Sequence, residues 1–295
     1  MPIDFTPRGT VRSMLGESPV FDARRNVLWY CDITEHAVRR FDLGNAETHS
    51  WTFPTEVGSL GLTVSGKLVI ALREEVGIWN PADETWVGLV EIEKGNKETR
   101  LNDGKVGPDG AFWVGTMDDS DRSVKEPIGS LYRVTADGRA EKKVDGIVVS
   151  NGLAFAPDGR FLYHSDSRAR WIDRWDLDPA TGAISNRKRL AVMEEATGRP
   201  DGGATDATGH YWSSGISAQR LNRFTPDGTL IESFAVPVAA PTMPCFAGDD
   251  LATLFVTSLR GGRPKELLDK YPLTGLLIAG LSPVAGAPVG LFRDR

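Results

Sequence analysis

Two carboxylates and two amides hold equivalent places in the sequence, each about six residues before a turn that joins two short apolar runs. They are Glu17, Asn102, Asn151 and Asp201. Carboxylates supply negative charge and hard oxygen donors, and amides add neutral carbonyl donors. Buried together, such oxygens are unfavourable unless something compensates them. If the four side chains converge, the pattern predicts a divalent metal site that suits calcium, magnesium or manganese and tolerates zinc.

Other catalytic chemistries find less support in the sequence. No Gly-x-Ser-x-Gly segment forms a nucleophile elbow, and the four histidines do not pair at helical spacing. The acidic segment 118–121 lacks the glycine and terminal glutamate of an EF-hand loop and is expected to be a solvated loop. His164 follows Tyr163 on a predicted strand. It is either a buried structural residue or a support for the site.

Composition excludes several classes of protein. The 295 residues carry a net charge of −6, which argues against a nucleic-acid-binding protein. No segment approaches the ~18–20 apolar residues that span a bilayer, and residues 1–15 lack the apolar core of a signal peptide. Two cysteines, Cys31 and Cys245, offer no disulfide framework. We therefore expect a cytoplasmic protein, a monomer or small homo-oligomer, with neither nucleic acid nor membrane as partner.

The elements that position these side chains form a repeat. The chain has 32 glycines and 18 prolines, and many fall in turns such as Pro108-Asp109-Gly110 and Pro157-Asp158-Gly159. Six copies of this hairpin start roughly every 40–50 residues, a spacing typical of propeller blades. The sequence predicts an all-β fold, a six-bladed β-propeller with four-stranded antiparallel blades around a central channel, as one domain over residues 1–295. A pair of β-sandwiches or an irregular solenoid is the alternative, and helix is expected only near 264–270.

Equivalent residues of the inner strands should form a ring around the channel. Counting back from each turn assigns one residue of each copy to this ring: Glu17, Gly58, Asn102, Asn151, Asp201 and Cys245. An alternative interpretation is that the Asn-Gly and Asp-Gly pairs are only turn residues. Asp109, Asp158 and Asp227 are assigned to turns, whereas Glu17 and Asp201 open the strand before the turn.

At these residues the chain resembles the senescence marker protein, gluconolactonase and regucalcin family of six-bladed propellers. The matching segments, in family order, are 15–21 (LGESPVF), 100–105 (RLNDGK), 115–117 (GTM), 150–153 (SNGL), 200–203 (PDGG) and 244–248 (PCFAG). Each motif alone is weak, but the ordered set extends to about residue 285. The resemblance implies a metal-dependent lactonase whose substrate is a small-molecule sugar lactone, an aldonolactone opened to the aldonic acid.

The resemblance also implies roles for particular residues. The family's metal ligands map to Glu17, Asn151 and Asp201, and its substrate contacts map to Arg100, Asn102 and Asp103. Asp201 is also implied to be the general base. The cofactor is one divalent ion, namely calcium, zinc, manganese, magnesium or iron. Some members carry a substrate-contacting glutamate where this chain has Ser120, so recognition of the sugar hydroxyls is expected to differ.

Two other functions remain open on the same fold. One is hydrolysis of an organophosphate or other ester at the same metal, which a pocket lined mainly by aromatic residues would favour. The other is a non-enzymatic, calcium-binding regulatory propeller, although the repeated Gly-His and Trp-Asp motifs of scaffolding propellers are absent.

Several arginines follow the ends of predicted strands: Arg73, Arg168, Arg170 and Arg260. If they face the same side as the ring, the substrate could carry an added anionic group, as in a sulfo- or uronate-derived lactone. Solvated surface arginines are the simpler interpretation.

Overall fold

Six four-stranded antiparallel sheets form a ring in the structure, a computed structural model that describes residues 2–295. In five of the sheets the strands follow one another in sequence order. The first strands of neighbouring sheets contact one another around the ring, as inner strands must in a propeller. The predicted six-bladed β-propeller is therefore confirmed.

The blades are numbered from the N-terminus. Blade 1 contains β2 (Gly16–Asp22), β3 (Val27–Asp32), β4 (Ala37–Asp42) and β5 (Thr48–Thr52). Blade 2 contains β6 (Ser59–Leu62), β7 (Leu68–Ala71), β8 (Glu75–Asn80) and β9 (Thr85–Glu91). Blade 3 contains β10 (Thr99–Val106), β11 (Phe112–Asp118), β12 (Gly129–Val134) and β13 (Ala140–Ile147).

The second half of the ring repeats this arrangement. Blade 4 contains β14 (Ser150–Phe155), β15 (Phe161–Asp166), β16 (Trp171–Asp178) and β17 (Ala183–Val192). Blade 5 contains β18 (Pro200–Thr205), β19 (Tyr211–Gly215), β20 (Arg220–Phe224) and β21 (Leu230–Ala235). Blade 6 contains β22 (Pro241–Ala247), β23 (Thr253–Ser258), β24 (Leu276–Leu281) and β1 (Thr6–Arg12).

Turn aspartates hold the packing of two blades in place. Asp109 accepts a hydrogen bond of 3.2 Å from the indole N–H of Trp113, and Asp206 accepts one of 2.9 Å from Trp212. Both tryptophans are fully buried. A buried indole N–H is unfavourable without a partner, so each aspartate stabilises the core of its own blade. Asp109 thus has a structural role in its turn and takes no part in the ring around the channel.

The inner strands place the ring residues at the end of the channel where these strands begin. Glu17, Asn151 and Asp201 are the second residues of β2, β14 and β18, and Gly58 directly precedes β6. Each of the three strands then carries a register shift against its neighbouring strand. The extra residue bends the inner strand locally at the site.

Cys245 departs from the predicted ring. It lies late in β22, paired with Phe255, and lines a pocket together with Lys105 and the C-terminal segment. Blade 6 has no Pro-Asp-Gly turn on which to align the repeat, so the assignment was displaced along the strand. Thr242, six residues before Gly248, holds the equivalent position at the start of β22.

The two ends of the chain close the ring and cover one of its faces. β1 pairs with β24, so blade 6 combines strands from both ends of the chain. Residues 284–293 cross the face where the inner strands finish, with bridges from Asp206 to Gly286 and from Thr63 to Phe292. Phe292 is fully buried there. The ring residues lie at the opposite end of the channel.

Few features lie outside the blades. The helix α1 (Lys265–Lys270) forms where the sequence predicts one, in the connection between β23 and β24. Cys31 and Cys245 are both buried free thiols. Within residues 2–295, no helix combines the length and apolar character needed to cross a membrane.

Candidate active site

A cavity of about 200 Å³ opens at the end of the channel where the inner strands begin. It brings together every predicted site residue except Asp103, and its lining consists of Leu15, Glu17, Ile33, Arg100, Asn102, Met117, Lys125, Val149, Asn151, Ser167, Arg168, Arg199, Asp201, Ile216 and Leu259. Pockets for drug-sized ligands are usually larger, about 300–1,000 Å³. The cavity therefore suits a ligand of single-sugar size.

The three predicted metal ligands meet on the floor of this cavity. The Asn151 amide donates a hydrogen bond of 2.6 Å to Asp201 Oδ1 and one of 2.8 Å to Ser167 Oγ. Glu17 Oε2 accepts a hydrogen bond of 3.0 Å from the backbone N–H of Ser18. The second oxygen of each carboxylate has no hydrogen-bond donor among residues 2–295. Two carboxylate oxygens are thus available to a ligand.

The buried acidic side chains at the floor of the cavity repel one another, and a bound cation would reduce this repulsion. Burial, with repulsion from Asp201 and Asp103, raises the pKa of Glu17 well above its usual range. Burial and repulsion from Asp103 likewise raise the pKa of Asp201. Three acidic side chains are held close together, and Lys105 is the basic group that partly offsets their charge at Glu17 and Asp103. A cation bound beside Glu17 and Asp201 would relieve the repulsion and keep both ionised.

The donor set fits a divalent metal ion. Across the described chain, no three His, Cys, Asp or Glu side chains form a metal-binding group, so an ion here needs amide or water oxygens besides the two carboxylates. Asn151 lies in contact with Asp201 and supplies such an oxygen. Its oxygen accepts a hydrogen bond of 3.0 Å from Asn102 in this structure. Hard oxygen donors of this kind suit calcium, magnesium or manganese.

Arg100 and Asn102 form the wall of the cavity next to the metal ligands. Arg100 Nη1 donates to Asn102 Oδ1 at 2.9 Å, and the Asn102 amide donates to the carbonyl of Ser150 at 2.9 Å. Arg100 Nε donates to Asp119 at 3.2 Å. Arg100 Nη2 has no partner among the described residues and is available to a substrate oxygen. Burial lowers the pKa of Arg100, whose charge Asp119 helps to maintain.

Asp103 lies apart from this wall. Its Oδ2 accepts a hydrogen bond of 2.9 Å from the backbone N–H of Leu153, and its Oδ1 is buried without a partner among the described residues. Burial raises the pKa of Asp103 to about 6. In this arrangement Asp103 joins blades 3 and 4 below the cavity and adds negative charge beneath Glu17 and Asp201. Its predicted contact with substrate remains a prediction.

The loop after β11 does not reach the cavity at Ser120. Asp118 is buried and accepts hydrogen bonds from the backbone N–H of Ser120 at 2.9 Å and of Glu126 at 2.7 Å. These contacts lower the pKa of Asp118 to about 2, although burial opposes them. Asp118 therefore organises the loop. Lys125, from the same loop, lines the cavity.

Sequence reasoning missed Arg199, and it placed Ser167 only at a strand end expected near the mouth of the pocket. Ser167 bridges Asn151 to the carbonyl of Pro200, which it reaches at 2.6 Å. Arg199 lies two residues before Asp201, and burial and repulsion from Arg168 lower its pKa. Neither residue belongs to a motif. Their only signal in the sequence is a position at a strand end on the same face as the ring.

Comparison with known proteins finds relatives that are similar in sequence and fold over nearly the whole chain. A 6-deoxy-6-sulfogluconolactonase from Pseudomonas putida is 37% identical over 282 residues, 95% of each chain. Human regucalcin is 31% identical over 282 residues, 92% of this chain and 94% of its own. A crystal structure of regucalcin from Agrobacterium tumefaciens, described as a calcium-binding protein, superposes with a TM-score of 0.93 at 28% identity, covering 99% of this chain and 98% of its own.

A family assignment agrees with these relatives. Residues 15–260 match the family described as the SMP-30/Gluconolactonase/LRE-like region. That segment contains all six predicted site residues and all six inner strands, together with two of the four strands of blade 6. With the same fold and the same order of motifs along its length, this chain belongs to the SMP-30/gluconolactonase/LRE-like family.

Proposed function

We propose that this protein is a lactonase, a divalent-metal-dependent hydrolase that opens a sugar lactone to the aldonic acid. The observation that carries the proposal is the pair of buried carboxylates, Glu17 and Asp201, each with one oxygen free in a cavity of single-sugar size. The similarity to a 6-deoxy-6-sulfogluconolactonase supports it. So does the polar floor of the cavity, where sugar hydroxyls find hydrogen-bonding partners.

Hydrolysis of a lactone needs a polarised carbonyl, a deprotonated water and a stabilised oxyanion. Glu17, Asn151 and Asp201 would hold the divalent ion, which when bound would supply Lewis-acid stabilisation of the carbonyl oxygen. Side chains of the protein carry out the proton transfers. Asp201 accepts the proton of the attacking water as the new C–O bond forms. The ring C–O bond then breaks and Asp201 returns its proton to the ring oxygen, which leaves as a hydroxyl. The carboxylic acid product releases one proton to solvent at neutral pH.

Arg100 and Asn102 position the substrate in this scheme. Arg100 Nη2 is free to donate to a hydroxyl or carbonyl oxygen, while its other nitrogens are held by Asn102 and Asp119. A guanidinium fixed at two points loses little entropy when a ligand binds to the third nitrogen. The Asn102 amide, held by Ser150, keeps Asn151 turned toward Asp201.

Two observations bear on the alternatives. The lining of the cavity contains no aromatic side chain among the described residues, which disfavours the organophosphate or other ester hydrolase. The structure described as a calcium-binding protein favours a second candidate, a regulatory calcium-binding propeller. Both functions would use the same three ligands, so only turnover separates them. Cytoplasmic localisation and a monomeric or small homo-oligomeric state remain predictions from the sequence.

The test is acid release measured by pH-stat titration on a panel of sugar lactones, before and after metal removal. Chelation should abolish acid release, and adding back calcium, zinc, manganese, magnesium or iron one at a time should restore it with at least one ion. Full activity in the stripped protein would refute the metal dependence. Tight calcium binding with no acid release from any lactone would favour the regulatory propeller instead.

A further inference from the structure

Two arginine side chains that line the cavity, and two more close to them, form no ion pair with any acidic side chain among the described residues. They are Arg168, Arg170, Arg199 and Arg263. Arg168 and Arg199 line the cavity itself. Arg170 and Arg263 each hold a buried Nε without a partner. None of the four guanidinium groups forms an ion pair or a side-chain hydrogen bond with residues 2–295.

The wall that carries Arg100 is built differently, and Arg73 lies next to this wall without lining the cavity. Arg73 pairs with Glu56 at 3.1 Å and with Asp119 at 2.9 Å. Arg100 pairs with the other oxygen of Asp119 at 3.2 Å. On that wall each arginine therefore has an acidic partner within the protein. Arginines without an ion pair are therefore not a general feature of this cavity.

The bare arginines repel one another. Arg168 and Arg199 line the same cavity, and neither guanidinium group has an ion-pair partner among the described residues. Like charges gathered at a partly buried site are unfavourable unless a counter-charge binds there. The protein as a whole carries a net charge of −6, so this basic side is a local departure from its composition.

We infer that the lactone substrate carries an anionic substituent, a sulfonate, phosphate or carboxylate, which Arg168 and Arg199 bind while the lactone ring lies over Glu17 and Asp201. The inference rests on the proposed lactonase function and adds the chemical class of its substrate. A neutral aldonolactone would leave the arginines unpaired. An anionic group would accept their forked N–H donors in charge-assisted hydrogen bonds.

The chain links the anion subsite directly to the reaction centre. Arg199 lies two residues before Asp201 at the start of β18. Arg168 follows Ser167, which accepts a hydrogen bond of 2.8 Å from Asn151. Because both arginines and both carboxylates line a cavity of about 200 Å³, one monosaccharide can reach all four. Binding the remote anion would orient the lactone carbonyl over the carboxylates.

The experiment compares kcat/KM of the metal-loaded protein for four sugar lactones that differ in the group at C6. One is neutral glucono-1,5-lactone, and the others carry a phosphate or a sulfonate at C6; a lactone of a sugar diacid adds the carboxylate arm. We expect at least one anionic lactone to exceed the neutral one by tenfold or more. The order of kcat/KM among the anionic lactones identifies which anionic group the subsite binds.

Variants assign the preference to the arginines. Arg199→Gln and Arg168→Gln should each lower the ratio of anionic to neutral kcat/KM by about tenfold, and Arg199→Lys should retain part of it. Arg168 is exposed, so its replacement does not endanger the fold. The matched control is Arg160→Gln, an exposed arginine in the β14–β15 turn at the other end of the propeller, which should leave the ratio unchanged.

Inorganic sulfate provides a second readout at constant ionic strength. It should inhibit the wild-type protein competitively, and weaker inhibition is expected in Arg199→Gln. Equal or better turnover of the neutral lactone, or an anionic preference unaffected by both arginine variants, would overturn the inference and leave the lactonase proposal intact. Absence of acid release from every lactone would instead overturn the lactonase proposal, and the substrate class with it.

Discussion

The Asn151 amide donates a hydrogen bond of 2.6 Å to Asp201 Oδ1 and thereby joins the inner strands of blades 4 and 5 at the floor of the cavity. The two residues are fifty positions apart in the chain. One oxygen of Asp201 is held by this contact, and the other faces the cavity. A single side chain can therefore keep a fixed orientation and still accept a proton.

Replacing Asp201 by Asn or Ala should abolish turnover without unfolding the protein. Asp201→Asn keeps the size of the side chain but removes its negative charge and basicity, so the loss in kcat should be about 10²- to 10⁴-fold, the range expected for a general base. Lactone titration and far-ultraviolet circular dichroism measure the two properties. Asp158→Asn, in a turn at the other end of the propeller, is the control. Retained activity in folded Asp201→Asn would refute the assignment.

Asp119 is expected to affect substrate binding through Arg73 and Arg100, with which it forms ion pairs. Asp119→Asn removes the ion pairs to Arg73 and Arg100, so Arg100 loses the contact that fixes its Nε. We expect KM to rise about five- to tenfold, with a smaller change in kcat, because substrate positioning is affected more than chemistry. Asp121→Asn, an exposed change in the same loop, should have no effect. A fall in kcat alone would contradict this role.

Gly58 holds its place in the ring because a side chain there has no room. A Cβ added to Gly58 would lie 2.7 Å from the carbonyl oxygen of Leu101 and 3.0 Å from that of Asn102. Gly58→Ala should lower the free energy of unfolding by about 1–3 kcal/mol, as overpacking does, and should reduce activity by displacing the start of β10. Gly44→Ala, in a surface turn, should be neutral or slightly stabilising. Urea unfolding of both variants distinguishes these outcomes.

His164 should make the fold sensitive to acid. Burial, with repulsion from Arg187, lowers the pKa of His164 to about 3, while its Nε2 lies 2.8 Å from Ser150 Oγ. In the unfolded chain the imidazole gains a proton below about pH 6.5, whereas in the folded protein it stays neutral. The unfolded state therefore binds more protons between these values, and stability is lost as the pH falls through this window.

The matched measurement is the free energy of unfolding of wild type and His164→Gln as a function of pH. Glutamine does not titrate, so the stability difference between the two proteins should shrink by about 2 kcal/mol between pH 7 and pH 5. A difference that stays constant over this range would show that His164 binds protons equally in the folded and unfolded states, and would refute its lowered pKa in the folded protein. Groups common to both proteins, such as Glu17 and Asp201, cancel in the comparison.

Much of the architecture could be predicted because its determinants are local. The Pro-Asp-Gly turns and the apolar runs on either side specify hairpins from neighbouring residues alone, and their even spacing identifies blades. The position six residues before the turn then finds Glu17, Asn151 and Asp201 without any knowledge of contacts. Cys245 shows the limit of this method, since a blade without the usual turn offers nothing on which to align.

The side chains of β10 illustrate a second limit. Arg100 and Asn102 both reach the cavity, whereas the next residue, Asp103, turns toward Leu153 in blade 4. Successive residues of a strand point to opposite sides, so neighbours in one motif need not share one site. The motif in the sequence therefore does not show which of its residues face the cavity.

The sequence by itself determined the six-bladed ring, the family and the ring residues at one end of the channel, because turn chemistry and repeat spacing act over a few residues. Only the tertiary structure decided which charges meet. Asp119, in the loop after β11, forms ion pairs with Arg73 and Arg100, while Arg168 and Arg199 from successive blades line one cavity without an ion pair among the described residues. Charge pairing depends on distances of a few ångströms between residues far apart in the chain, and the folded ring alone sets those distances.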